Sequence, residues 1–394
     1  MYEDNLVKEA VLPAITASSG LRSWAAVFSL TLGAFGFVSA EFLPVGVLPE
    51  IAQTFQVEPG RAGLMLSMPG ILAALSGPAA ILLPGRIDRR RLLQAVTALL
   101  VAACILNGCA TSFNMILASR AMVGMGLGAF WAVALAVAGR MVSAESAHKA
   151  AGAVFAGVTA AMILGVPIGT YVSQVTSWRG AFAVAAAIGA LAFAMQMLTL
   201  PKMQMNSTLH FSSLIRAAQN RDALKSMALI GLVIGAHFAS YTFVTPIMRE
   251  SGINGSAITA VLFAYGVAGF ISNVCATYLV GRDLRRTLSV SIGLMFVPVC
   301  ALPLSLASAS MAIALVVCWG TAMGAIPLCL SLWNAQKLDG REDAASALFA
   351  FVTQVAIALG SSCGGVVVDT LGLHITFWAA AAMIGLAGLL LRSA

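Results

Sequence analysis

Three ionisable side chains stand inside long apolar stretches of the sequence: Glu41, Arg120 and His237. Glu41 follows the run AAVFSLTLGAFGFVSA, which holds no charge, and opens the segment EFLPVGVLPEIA. Ionisable groups at membrane depth are costly and usually mark a pathway for ions, protons or substrate. A carboxyl there can take up and release a proton. Poor solvation favours its neutral form and a nearby cation its ionised form, so an arginine such as Arg120 can tip Glu41 between the two. His237 can relay protons or hydrogen-bond a solute. Each residue also has a plainer reading. Glu41 could be an interfacial acid reaching the headgroups, Arg120 a structural arginine bonded to backbone carbonyls or snorkelling outward, and His237 a packed histidine.

The elements that must position these residues follow from composition. The chain of 394 residues is 60% hydrophobic and only 9% charged, against roughly 25% charged in a soluble domain. It is read as an integral membrane protein. Its apolar runs are long and continuous, which favours helices over the alternating strands of a barrel. With about 20 apolar residues per crossing, twelve spans are expected at 23–47, 61–83, 92–110, 114–140, 149–172, 180–199, 223–247, 256–280, 287–306, 310–334, 344–367 and 373–392. Placing Glu41 about eight residues from the end of its span gives a depth of roughly 12 Å, and Arg120 lies roughly 9 Å deep by the same rise. His237 is about ten residues from its span's end, so the three share the outer half of the membrane.

Lysine and arginine set the orientation. With the N-terminus inside, the outer side receives only Arg61, Arg179 and Arg249, while Arg86, Arg89, Arg90, Arg91, Arg282, Arg285 and Arg286 fall inside with most of the rest. Positive charge collects on the cytoplasmic side, so both termini are expected there, in the inner membrane. The net charge of +7 needs no nucleic-acid partner. The first 22 residues lack the pattern of a signal peptide and are expected to remain as a cytoplasmic tail. The seven cysteines lie in apolar runs without CxxC spacing and read as small buried hydrophobes rather than disulfides or metal ligands. No GxxxxGK[ST] segment is present, so the expected energy source is an ion gradient, with no cofactor and no enzymatic activity.

The chain divides into a tail at 1–22, a six-span half at 23–199, a polar cytoplasmic linker at 200–222 and a second half at 223–394. The halves echo each other. GRIDRRRLL (85–93) is matched by GRDLRRTLS (281–289) at an offset of 196, and LGVPIGTYV (164–172) by LGSSCGGVV (359–367) at 195; Phe182 and Phe377 are also 195 apart. Equal halves of six spans form a parallel repeat, with a substrate site expected near the midplane between them.

This organisation resembles the major facilitator superfamily over nearly the whole chain. EFLPVGVLPEIA (41–52), SRAMVGMGLGAFWA (119–132), GVPIGTY (165–171) with WRGAF (178–182), and YTFVTP (241–246) are similar to its twelve-span drug:proton antiporters, particularly the bacterial sugar-efflux and purine-nucleoside-efflux branches. The resemblance implies an all-helical fold of two six-helix bundles that rock between inward- and outward-open states. It also implies that spans one, four, seven and ten line a central cavity. Glu41, Arg120 and His237 would then face one pathway, with Phe130, Trp131, Phe238, Tyr241, Trp333 and Asn334 as candidate substrate contacts. Aromatic faces with a few amide or hydroxyl groups suit a neutral or weakly polar organic solute.

Gly165, Pro167 and Gly169 form a shortened version of the antiporter signature in span five, and the first inner loop departs from the family pattern. Gly85 stands where an aspartate is usual and Asp88 where a glycine is, so Asp88, with Arg89 and Arg90, is the candidate for pinning this loop. The implied function is proton-coupled export of drug-, sugar- or nucleoside-type solutes by a monomer. Uptake by proton symport and a non-transporting receptor are the alternatives.

Overall fold

A backbone in hydrocarbon must satisfy its own hydrogen bonds, which makes each apolar run a helix. The computed structural model describes residues 20–82, 88–203, 221–305, 307–338 and 342–393, and among these the ordered elements are helices. The spans are Leu21–Phe55, Leu64–Leu82 after a short turn Pro59–Ala62, Arg89–Gly108, Phe113–Met141, Ala147–Val175, Trp178–Thr199 and Arg221–Tyr241 continued by Val244–Glu250. After them come Gly255–Ala301, Ala309–Lys337, Glu342–Leu371 and Leu373–Ser393. Residues 1–19 of the tail, most of the linker and Gly85 lie outside the described residues.

The helices depart from the sequence expectation in three places. Span one runs on to Phe55 instead of ending at 47. Span seven is not continuous over 223–247 but breaks at Thr242 and Phe243. Pro246 cannot donate to the Thr242 carbonyl and its ring crowds that position, so the helix restarts at Val244. Gly255–Ala301 is one long helical element carrying spans eight and nine. It turns at Asp283, whose φ of −158° and ψ of 95° leave the helical region. The twelve crossings put residues 21, 89, 199, 221, 337 and 393 at one end of the bundle, called here the terminal end, and residues 55–59, 250–255 and 371–373 at the other, the distal end.

The halves repeat in their packing as well as in their sequence. Gly124 and Gly128 of span four lie against the Pro69 and Ala73 backbone of span two; 196 residues on, Gly320 and Gly324 lie against the Tyr265 and Gly269 backbone. Gly165 and Gly169 of span five meet Ser39 and Leu43 of span one, and 195 on, Gly360 and Gly364 meet Gly235 and Ala239 of span seven. Small residues permit this approach, and a lipid environment rewards it because helices associate there by close packing. Even the caps correspond. Ser112 and Ser308 each accept a backbone N–H three residues on, at the starts of spans four and ten.

Side chains such as Phe28, Leu75, Leu198, Tyr278 and Val366, which are 55–77% exposed, form the apolar outer surface expected of a protein bathed in lipid. The cysteines are free, and Cys104 and Cys329 are buried as expected. Cys109, Cys275 and Cys363 are exposed, a correction that costs little where the surroundings are apolar.

Candidate functional site

Two prolines shape the site before any charge does. Pro44 and Pro69 stand inside spans one and two. Each lacks the N–H that would bond the carbonyl four residues earlier, so the Ala40 and Met65 carbonyls are left without helical partners. Arg120 supplies both. Its Nη1 donates to the Ala40 carbonyl at 2.6 Å, its Nε to the Met65 carbonyl at 2.8 Å and its Nη2 to the Glu41 carbonyl at 2.6 Å. The guanidinium, wholly buried, thus ties span four to the proline bends of spans one and two. It holds backbone oxygens and leaves the Glu41 carboxyl free of a direct salt bridge.

Glu41 is itself buried, 5% exposed. Its carboxyl Oε1 accepts from Nε2 of Gln354 in span eleven, at 3.4 Å. This partner belongs to the opposite half. Gln354 sits where the halves pack closely, since a Cβ placed on Gly70 of span two would meet the Gln354 carbonyl. The sequence reading missed Gln354, because a lone neutral amide in an apolar run carries no charge signal.

His237 occupies the position in span seven that Glu41 occupies in span one, 196 residues earlier. Their neighbours Phe42 and Phe238 correspond in the same way and stack across the seam between halves, with ring centroids 5.5 Å apart. The seam is closed toward the distal end. The Gly60 N–H donates to Asp369 Oδ1 at 2.7 Å, Ser361 Oγ to the Gly63 carbonyl at 2.9 Å, and Gln174 Nε2 to the Gly255 carbonyl at 2.6 Å. Thr245 Oγ1 donates at 2.8 Å to the Val45 carbonyl, which Pro49 has freed as Pro44 frees Ala40. An exposed ion pair joins Arg249 to Glu50 at the rim.

The remaining candidates fall in separate places. Phe238 and Tyr241 lie beside His237. Phe130 is buried inside the first half against Phe37, and Trp131 stacks on Phe155 of span five. Trp333 lies under Lys337 near the terminal end of span ten. Asn334 there is already engaged, accepting from Ser226 Oγ and donating to the Ala345 carbonyl.

Asp88 caps span three, accepting from the Arg90 and Met203 backbone N–H groups. Arg90 donates to the Met197 carbonyl and Arg89 to the Ala80 carbonyl. The loop is thereby pinned to the ends of spans two and six in its own half. Gly165 and Gly169 bind span five to span one as described, and Pro167 frees the Ile163 carbonyl beside which Gly266 of span eight approaches.

Residues 30–339 match the family model of the Major Facilitator Superfamily. The chain belongs to that superfamily. It is 27% identical over 352 residues, 89% of each chain, to the purine ribonucleoside efflux pump NepI of Salmonella paratyphi A, and equally so to that of Salmonella typhimurium. Among solved structures it resembles a bacterial homologue of the human lysosomal transporter Spinster in an inward-facing, unoccupied conformation (TM-score 0.77, 16% identity, 95% of this chain and 97% of that one). It also resembles the nucleoside transporter NupG (TM-score 0.73, 9% identity, 93% and 99%). Both share the superfamily fold of twelve helices in two parallel bundles.

Proposed function

We propose that this superfamily transporter exports a nucleoside-type organic solute in exchange for protons, with Glu41 as the proton carrier. The observation that carries the reading is the setting of the Glu41 carboxyl: buried, free of a direct salt bridge among the described residues, and hydrogen-bonded to a neutral amide of the opposite half. It can gain or lose a proton without breaking an ion pair, because Arg120 is committed to backbone carbonyls. An amide can donate to the ionised carboxylate and, turned over, accept from the protonated one, so the protonation state is felt directly across the moving interface. The efflux pumps that the chain resembles support the direction. The crowding of arginine at the terminal end supports its assignment to the cytoplasm of the inner membrane.

The test uses proteoliposomes with an internal pH dye. Purine nucleosides, sugars and amphipathic drugs are added singly to wild type and Glu41→Gln. Antiport predicts proton movement opposite to the solute, present in wild type and absent in Glu41→Gln. Movement in the same direction as the solute indicates symport and overturns the export reading. Persistence in Glu41→Gln removes Glu41 as carrier.

A further inference from the structure

We infer that the planar ring of the transported solute is bound within the second half alone, by His237, Tyr241, Tyr265 and Trp319, and that the solute is an uncharged heteroaromatic such as a purine nucleoside. The inference deepens the transport reading and rests on it. The four rings come from spans seven, eight and ten. His237 stacks on Tyr241 at 4.9 Å between centroids and Tyr241 on Tyr265 at 5.0 Å. Trp319 stands edge-on to His237, Tyr241 and Tyr265 at 5.4, 5.7 and 6.3 Å.

Ordinary core packing leaves one feature of this cluster unexplained. His237 Nδ1 and Trp319 Nε1 are both buried without a hydrogen-bond partner. Buried polar atoms are usually paired, and those of Ser67, Thr97, Asn107 and Gln196 are also unpaired elsewhere in the bundle; what sets this cluster apart is that an indole donor and an imidazole nitrogen are unpaired on neighbouring rings. The scaffold does not demand the rings. At the corresponding positions 196 residues earlier the first half carries Glu41, Val45, Pro69 and Val123, and the glycine joints beside them pack in the same way.

A flat ring bearing its own acceptor and donor answers both unpaired nitrogens while its faces meet the aromatic stack. A sugar, with a hydroxyl on nearly every carbon, needs more polar partners than these side chains supply. No carboxylate or fixed cation belongs to the cluster, which suits a neutral ligand. The cluster also reaches the route of passage. The edge contact of His237 with Phe238, and the stack of Phe238 on Phe42, run from it to the seam between halves. Tyr241 and Tyr265 each keep 8% of their surface exposed, while His237 keeps 2% and Trp319 none, so the two tyrosines are the open edge of the cluster and a solute reaches the indole only when the rings part.

The experiment is equilibrium binding of tritiated adenosine to the purified full chain, with no proton gradient. In wild type, unlabelled adenine is expected to compete and ribose to fail. Trp319→Phe and His237→Phe, which keep a ring and remove the polar edge, are each expected to weaken binding about tenfold or more. Trp378→Phe, on the lipid-facing surface, is expected to bind as wild type does. Size-exclusion profiles confirm that each variant is folded, and the competition series needs no variant. Competition by ribose rather than adenine, or wild-type affinity in both ring variants, overturns the inference. If adenosine is carried against protons in the vesicle assay while either of those results holds, this inference falls and the transport reading stands.

Discussion

The two halves of the molecule use one set of helix joints for two chemistries. Gly124 and Gly128 meet span two as Gly320 and Gly324 meet span eight, at matched positions. Between those joints the side chains diverge. Glu41 answers to His237, Arg120 to Val316 and Val123 to Trp319. The first half holds a carboxyl and a guanidinium at the depth where the second holds stacked rings. A duplicated scaffold has kept what lets helices touch and parted in what lines the space between them. In the proposed mechanism this separates proton handling from solute recognition, with Gln354 and the Phe42–Phe238 stack joining the two.

The strongest way to break the comparison is through the joints. A Cβ at Gly128 would strike the Ala73 carbonyl and one at Gly324 the Gly269 carbonyl, and backbone cannot move aside as a flexible side chain can. Gly128→Val and Gly324→Val are both expected to abolish recovery of monodisperse protein. Gly231→Ala and Gly281→Ala, with open space around them, should be recovered normally. A strong difference between the two valine variants would show that the joints are not equivalent.

The next effect belongs to one half only. Arg120→Leu removes the donors to the Ala40, Glu41 and Met65 carbonyls, two of which no helical N–H can reach. At ~1–3 kcal/mol for each buried acceptor left unpaired, a loss of about 3 kcal/mol is expected, read as a lowered melting temperature in detergent. Arg120→Lys should recover little of it, since an ammonium cannot match the guanidinium fork. The corresponding Val316→Ala should cost only a small cavity, about 1 kcal/mol.

Gln354→Leu tests whether the halves communicate through Glu41. It should reduce proton-driven flux several-fold while leaving solute exchange without a gradient near the wild-type rate. Gln354→Asn should fall between them, its amide being one methylene short. Equal loss of both fluxes would make Gln354 a packing residue only.

Much of the fold was legible in the sequence because lipid imposes a simple rule: apolar runs of fixed length, with arginine at the turns. The kink at Thr242 and Phe243 was also within reach, since Pro246 names the carbonyl it orphans. The same subtraction of four applied to Pro44, Pro49 and Pro69 gives Ala40, Val45 and Met65, the oxygens that Arg120 and Thr245 bond. The offset of 196, read from the arginine loops, carries Glu41 onto His237 and Gly124 onto Gly320. What stayed illegible was contact between neutral groups. Nothing in the type or spacing of Gln354 says that it reaches a carboxyl 313 positions away. Trp319 is one indole among six, and its unpaired nitrogen exists only once His237 is folded beside it.

The smallest expected effect lies in the distal seal, where two cross-half bonds differ in setting. Thr245 is buried and donates to a carbonyl that Pro49 has freed. Thr245→Val keeps the shape, leaves that oxygen unpaired, and should cost about 1–2 kcal/mol of stability whatever the salt. The Glu50–Arg249 pair has side chains 30% and 44% exposed, so water screens it and side-chain entropy opposes it. Glu50→Ala should cost below about 1 kcal/mol, and the difference should vanish in high salt. Melting curves of both variants at low and high salt separate the two. If Glu50→Ala is the more damaging and salt does not erase the difference, the seal is held by charge at its rim. The proline-freed carbonyl would then lose its place among the points where the second half grips the first.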